Sequence, residues 1–394
     1  MKKSPRDRRA EGAADQRRTP EVRRILVARF GAIGDLLLTT PVLRALARRY
    51  PGAQIDYLVG KGLAPVLRGH PKLAEVIEFD KRADARPGAF VAFGRRLRER
   101  RYDLFVNLQR SVKTVLLGLA SGASRTVVYR RTHAVQRDSG RMQHAVENFL
   151  HTLEPIGAPI DAVGRHLDFV VGAAARQHVA AWLAGQGVQA RDRLVLVNPG
   201  ASAASRRWPA AHLAAVLDAL VRRRPALRVA LIGGPGDDQA LAKAVRSAMS
   251  SAEAVFDWVA AVDFEQTGAL LERASLLVTM DTGPMHLAAA IGTPIVALFG
   301  PTEPDRTGPT PPPPRTHRAA PRVLVHRDGL DCVPCHARSC KRGHQGCITG
   351  HAPEQLVDAI EQSLAAAPLA LPARPARPGA ARQRRARTMA AVPR

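Results

Sequence analysis

The stretch Leu276-Leu277-Val278-Thr279-Met280-Asp281-Thr282-Gly283-Pro284-Met285-His286 carries the reading from which the fold follows. Its first five residues are an apolar run of strand length, and Leu287-Ala288-Ala289-Ala290-Ile291 behind it reads as the start of a helix. A chain that leaves a buried strand through Asp-Thr-Gly-Pro and re-enters as a helix turns sharply. It leaves backbone N–H groups free at the helix N-terminus. Those donors, with the partial positive charge of the helix end, suit a phosphate or diphosphate. The plain alternative is a strand-to-helix turn that binds nothing.

The same alternation extends in both directions. Toward the N-terminus, β-type runs at 25–30, 55–59, 76–79, 103–108 and 127–129 are separated by helical stretches. The pattern restarts with a helix at 175–184 and with runs at 194–198, 229–232, 254–256, 276–280 and 294–299. Repeated βα units imply doubly wound parallel sheets, here two Rossmann-like domains of about 150 residues each. Residues 24–170 are expected to form the first and 171–365 the second. Such sheets bind ligands beyond the carboxyl ends of their strands, which places the site in the cleft between domains. The run Pro309-Thr310-Pro311-Pro312-Pro313-Pro314 reads as a stiff loop after the last strand, and residues 353–364 as a closing helix.

At 394 residues the chain is long enough for two domains, and 46% hydrophobic content fits a water-soluble fold. The longest stretch without a formal charge, 282–302, is broken by Pro, Gly and His286, so no membrane span is expected. The basic N-terminus lacks the apolar core of a secretory signal, which points to the cytoplasm. Of the net +25, residues 1–23 contribute +4 and 366–394 contribute +7, leaving +14 on the body. Both ends are rich in Pro, Ala and Arg and are expected to be disordered tails. A basic body suggests an anionic partner: a phosphorylated substrate, anionic lipid or nucleic acid.

Three glycine-containing loops follow strands and open helices. Gly31-x-x-Gly34-Asp35 lacks dinucleotide-fingerprint spacing, but it sets the Asp35 carboxylate at the end of the first strand. Asn198-Pro199-Gly200-Ala201-Ser202 takes the same place in the second series and leads to Arg206-Arg207-Trp208-Pro209. Gly233-Gly234-Pro235-Gly236-Asp237 is the third. Backbone N–H groups at Gly200, Ser202, Thr282 and Gly283, with Arg206 between the loops, would enclose a diphosphate. Asp35 and Asp281 also read as helix caps or loop-fixing groups, and His286 as a residue packed one turn into a helix.

These residues resemble a known family. The blocks Arg29-Phe-Gly-Ala-Ile-Gly-Asp-Leu-Leu-Leu-Thr-Thr-Pro41, Asn198-Pro-Gly-Ala-Ser with Arg206-Arg-Trp-Pro209, and Asp281-Thr-Gly-Pro-Met-His through Phe299-Gly-Pro-Thr302 are similar to the ADP-heptose:lipopolysaccharide heptosyltransferases of glycosyltransferase family 9. The resemblance runs from about residue 25 to 360 and leaves out both tails. It implies the GT-B architecture, with acceptor on the first domain and nucleotide-sugar on the second. It implies an inverting transfer of heptose from ADP-heptose to the lipopolysaccharide core at the inner face of the bacterial inner membrane, with no metal in catalysis. Asp35 then matches the family's general base. Asp281, Thr282, Gly283 and His286 match its donor motif, and Arg206 stands where relatives usually carry lysine. Asn107 stands where relatives usually carry an aspartate in the region 103–113, and Arg110, Lys113 and Lys61 are candidates to meet acidic acceptor groups.

The four cysteines lie together as Cys332-x₂-Cys335-x₄-Cys340-x₆-Cys347, with His336, His344 and His351 nearby. Spacing suggests a structural zinc or another thiolate-bound metal; free buried thiols and disulfides remain open alternatives. Two other functions compete with sugar transfer. One is a GT-B nucleotide-sugar epimerase. The other is a non-enzymatic basic module for lipid or nucleic acid, which would leave the glycine loops unused. Only 4% aromatic residues provide few stacking platforms for bases, so no specific nucleic acid is expected.

Overall fold

The computed structural model describes residues 21–129, 143–314, 321–326 and 328–366. The expected tails at 1–23 and 366–394 fall almost wholly outside the described residues.

The first half contains β1 (Arg24–Ala28), α1 (Ile33–Leu38), α2 (Thr40–Arg49), β2 (Gln54–Gly60), β3 (Glu75–Phe79), α3 (Pro87–Glu99), β4 (Leu104–Asn107), α4 (Val112–Ser121), β5 (Arg125–Val128) and α5 (Ala145–Leu150). Its five strands are parallel in the order β3-β2-β1-β4-β5. The second half contains α6 (Ala173–Gly185), β6 (Leu194–Val197), α7 (Ala210–Arg223), β7 (Arg228–Leu231), α8 (Asp237–Ala248), β8 (Val255–Asp257), α9 (Phe264–Arg273), β9 (Leu276–Met280), α10 (Gly283–Ile291), β10 (Ile295–Phe299), β11 (Arg322–Val325) and α11 (Pro353–Ala366). Its strands run β11-β10-β9-β6-β7-β8, also parallel. Counted within its own half, that is the doubly wound order 3-2-1-4-5-6.

The strand at Arg322–Val325 was not foreseen from the sequence. It pairs with β10 through Val296 and Arg322 to Phe299 and Val325, at the edge of the sheet. Four residues behind a proline-rich loop show too little periodicity to mark an edge strand, and none of the four is fully buried.

Buried strand residues alternate between two cores, as a pleat requires. Ile25 and Val27 face one apolar body, whereas Leu26 and Ala28 face another with Phe79, Phe93 and Phe105. The first body continues without a break into the second half, through Leu153, Leu167, Val171 and Val179 to Leu194 and Leu196. The outer face of the second sheet has its own core, built on Val195, Val197, Leu217 and Val229. The two sheets thus share the middle layer of side chains, which fixes the edge along which their loops meet.

Helix α4 lies unusually close to β4. A Cβ on Gly118 would overlap the ring of the fully buried Phe105, and one on Gly94 of α3 would sit 2.8 Å from Ala120 Cβ. Glycine is needed at 118 for this approach, at some cost in helix propensity. Gly118→Ala is expected to destabilise the protein by about 1–3 kcal/mol through overpacking. Urea unfolding checks it: the midpoint falls at unchanged m-value, and an unchanged midpoint would mean that Phe105 yields.

Candidate active site

Each sheet has a point where its strand order reverses, between β1 and β4 in the first and between β6 and β9 in the second. Loops leaving neighbouring strands in opposite directions open a crevice there. The helices that leave the two sheets at these points, α1 and α10, pack against each other.

At the first, Arg29 and Asp35 form an ion pair at 2.7 Å, with the Asp35 carboxylate partly open to solvent. Asp35 sits in the first turn of α1, whose N-cap is Ala32 without a side-chain hydrogen bond. The capping role open to Asp35 is therefore not the one it plays. Arg29 also donates to the Leu108 carbonyl at 2.7 Å and lies over the Phe149 ring, while Gln109 accepts from Phe30 N–H at 2.8 Å. The β1 and β4 loops are tied together through these bonds, and the tie aims the carboxylate. Neither Arg29 nor Gln109 stood out in the sequence, although Arg29 opens the motif that holds Asp35. Asn107 is fully buried and accepts from Gln109 N–H, so it shapes this loop.

At the second, Arg206 Nη1 lies 3.1 Å from the Asp281 carboxylate and donates to the Asp281 carbonyl at 3.3 Å. Asp281 is buried and holds the guanidinium against the start of α10. Thr282 is the N-cap, in extended conformation, and its hydroxyl lies 3.1 Å from that of Thr279 rather than capping the helix. The first turn of α10 is left with free N–H groups beside Arg206. Gly200 is buried in the facing loop, and Ser202 is exposed with its carbonyl accepting from Arg338.

The two crevices touch. A methyl group on Gly34 would sit 2.6 Å from His286 Cδ2, and one on Gly283 would sit 3.6 Å from Ile33 Cβ. His286 is buried, its Nδ1 has no hydrogen-bond partner, and burial pulls its pKa down to about 4 against the opposing pull of Asp281. It is a neutral imidazole. A second bridge, from His144 Nε2 to the Gly308 carbonyl, spans 3.1 Å across the halves. His144 caps α5 and was not legible as a site residue.

The third glycine loop does not join this group. Asp238 fills the space beside Gly200 and Gly233 and accepts from Gly234 N–H at 2.8 Å, while Asp237 pairs with Arg207 at 2.7 Å. Gly234 N–H is met by the Asp238 carboxylate and Gly236 N–H by Gln239 Oε1 at 3.1 Å, so two loops rather than three are available for an anion. Among the acceptor candidates, Lys61 is paired with Asp80 at 2.9 Å, which removes it as a free cation. Arg110 and Lys113 are exposed beyond the carboxyl end of β4.

All four cysteines are free thiols, and among the described residues no three or more His, Cys, Asp or Glu side chains are arranged to hold a metal ion. The zinc reading therefore finds no assembled ligand set. Burial raises the Cys347 thiol pKa, and backbone N–H groups, Gln345 foremost, lower that of Cys340. The segment does have a mechanical role. Cys335 and His336 N–H both donate to the Pro301 carbonyl, and Ser205 donates to the carbonyls of Ala337 and Arg338. The cysteine loop is stitched to the loop that carries Arg206.

Because His286 is neutral when folded and titrates near its ordinary 6.5 when unfolded, its contribution to stability is complete above pH 6.5. That contribution is lost as the pH falls through about 4. His286→Gln is expected to flatten the pH dependence of urea stability across that window. An unchanged slope would show that His286 is not held neutral by burial.

With this geometry in place, likeness to known proteins becomes informative. The family model described as glycosyltransferase family 9 (heptosyltransferase) matches residues 90–344. Lipopolysaccharide heptosyltransferase 3 of Escherichia coli is 30% identical over 286 residues, 68% of this chain and 81% of the relative. The solved glycosyl transferase family 9 protein of Veillonella parvula superposes with a TM-score of 0.75 at 25% identity, covering 87% of this chain and 97% of that one. The E. coli ADP-heptose lps heptosyltransferase II superposes with a TM-score of 0.69 at 22% identity, covering 87% and 98%, which bears on the fold alone. The two parallel sheets are those of the GT-B glycosyltransferases, and the chain belongs to glycosyltransferase family 9, the heptosyltransferase family.

Proposed function

We propose that the protein transfers heptose from ADP-heptose to the inner core of lipopolysaccharide with inversion at the sugar C1. In this reading residues 24–170 bind the acceptor and 171–365 the nucleotide-sugar. The enzyme works at the inner face of the bacterial inner membrane. The observation that carries it is the contact of Gly34 with His286, by which the partly solvent-open Asp35 carboxylate in the first turn of α1 lies close to the helix start of α10, a feature suited to anions. The donor named for a family relative, ADP-heptose, supplies the group that such a helix start suits.

The chemistry is a single displacement. The acceptor oxygen attacks C1 as the bond from C1 to the diphosphate oxygen breaks, and the hydroxyl proton passes to Asp35. Arg29 occupies one carboxylate oxygen and so leaves the other to the acceptor. Negative charge collects on the departing ADP, where Arg206 and the first N–H groups of α10 receive it. Asp281 engages Nη1 of Arg206, which orients the guanidinium and leaves Nη2 for a phosphate oxygen. Thr282 and Gly283 contribute backbone close to the diphosphate and Ser202 lines the rim, whereas the Gly200 N–H is spent on Asn198 Oδ1 beside the Asp238 carboxylate. His286, neutral and packed on Gly34, is a spacer that keeps the two crevices in register. Arg110 and Lys113 are placed to meet acidic groups of the acceptor. The charge on the leaving group is met by protein groups, and no step is routed through a metal.

A donor screen with purified protein and truncated lipopolysaccharide, read by mass gain, tests the reaction. A gain matching heptose from ADP-heptose is expected; transfer from a different donor only would overturn the donor assignment. Asp35→Asn is expected to lower kcat by about 10²–10⁴-fold with ADP binding retained. Activity near wild type would remove Asp35 as the base. Arg206→Ala is expected to lower kcat/KM for the donor by about 10²-fold, the order seen when one transition-state donor is lost. Unchanged donor kinetics would refute its role.

A further inference from the structure

The outward side of α4 is apolar where a soluble protein should be polar. Val112, Val115, Leu116 and Leu119 recur at the i, i+3, i+4, i+7 spacing of one helical face, and all are exposed, Val112 by 77% and Leu119 by 71%. Among the described residues eight large hydrophobic side chains are exposed, and these four plus Val91 of neighbouring α3 make five of them. The concentration is what matters, because scattered exposed hydrophobics need no explanation and a contiguous patch does. The opposite side of α4 is committed to the core through Thr114, Leu117, Gly118 and Ser121. Gly118 against Phe105 fixes the helix so that the stripe cannot roll inward.

The surroundings say what the stripe meets. Lys113 borders it on α4, and Arg95 and Arg98 are exposed on α3, with the Arg98 side chain lying against Gly122 at the end of α4. α4 has no acidic residue and α3 has only Glu99. An apolar stripe with a cationic border matches the boundary between acyl chains and anionic headgroups. The stripe also begins at the site. α4 starts three residues after Gln109, whose side chain holds the Phe30 N–H in the loop that bears Asp35.

We infer that the exposed face of α4, with Val91 and the α3 arginines, is a docking surface for an anionic lipid bilayer, and that it presents the Asp35 crevice to an acceptor anchored in that bilayer. The choice of lipid rests on the proposed lipopolysaccharide acceptor; the binding itself does not require it. Insertion is shallow, with the helix lying in the headgroup plane, and no helix in the described residues is long and apolar enough to span.

Co-sedimentation of the full chain with phosphatidylethanolamine–phosphatidylglycerol vesicles, in the absence of donor, tests the surface. The wild type is expected to bind these vesicles and not phosphatidylcholine vesicles. Leu116→Ser/Leu119→Ser and Arg95→Glu/Arg98→Glu are each expected to weaken binding about tenfold or more. Both variants should transfer sugar to a soluble, delipidated acceptor as the wild type does, and lose activity only on vesicle-borne acceptor. Binding equal to wild type in both variants would overturn the inference, and would assign any lipid affinity to the rest of the chain. A wild-type dimer that the Leu116→Ser/Leu119→Ser variant converts to monomer, in sedimentation velocity, would overturn it in favour of a second copy. Vesicle binding without transfer to any acceptor would instead sink the proposed function and leave the docking surface standing.

Discussion

Steric closeness at Gly34 is the constraint on which the rest of the architecture depends. The His286 ring occupies the space a side chain would need, so the β1 loop and the start of α10 can approach until their backbones nearly touch. The shared middle core from Ile25 to Leu196 sets the relative position of the sheets, and the Gly34–His286 contact turns that position into a site. Without the glycine, a Cβ would meet the His286 ring at 2.6 Å, and Asp35 and the helix start would be pushed apart by about 1 Å. A displacement of that order forfeits most of the advantage of holding two reactants in line.

Charge is arranged to match this closeness. Every titratable group at the junction is either paired or kept neutral: Asp35 with Arg29, Asp281 with Arg206, and His286 and His144 pushed toward neutrality by burial. Pairing half-buried ions costs desolvation, and it is worthwhile where the pair also fixes direction. Both pairs do so here, since each arginine is shared between a carboxylate and a backbone carbonyl of the neighbouring loop. The cysteine segment adds a third support by bonding to Pro301 and to Ser205 next to Arg206.

Legibility in the sequence followed burial. Strands such as 25–30 and 276–280 are mainly apolar runs that end in a glycine-containing turn, and their limits in the structure shift by only a residue or two. The edge strand at Arg322–Val325 has no buried stripe to announce it. Asp35, Arg206, Asp281 and His286 were visible because they sit in motifs at strand ends. Arg29, Gln109 and His144 act through contacts 79 to 164 residues away in sequence, which no local pattern encodes. Lys61 looked like a free cation for the same reason, since its partner Asp80 lies on another strand's loop. The apolar face of α4 was hidden by the opposite effect: its spacing is that of any amphipathic helix, and only packing reveals which side faces out.

The acidic filling of the third glycine loop has its own consequence. Asp238 stands beside Gly200 and Gly233 on the β7 side of the second crevice, and Arg206 with the α10 N-terminus on the β9 side. A ligand lying along β6 and β9 therefore meets a gradient of potential from repulsive to attractive for phosphate. A molecule whose negative charge is concentrated at one end has a single favourable orientation in that field, so in the proposed reaction the polarity of donor binding is decided before any sugar hydroxyl is read.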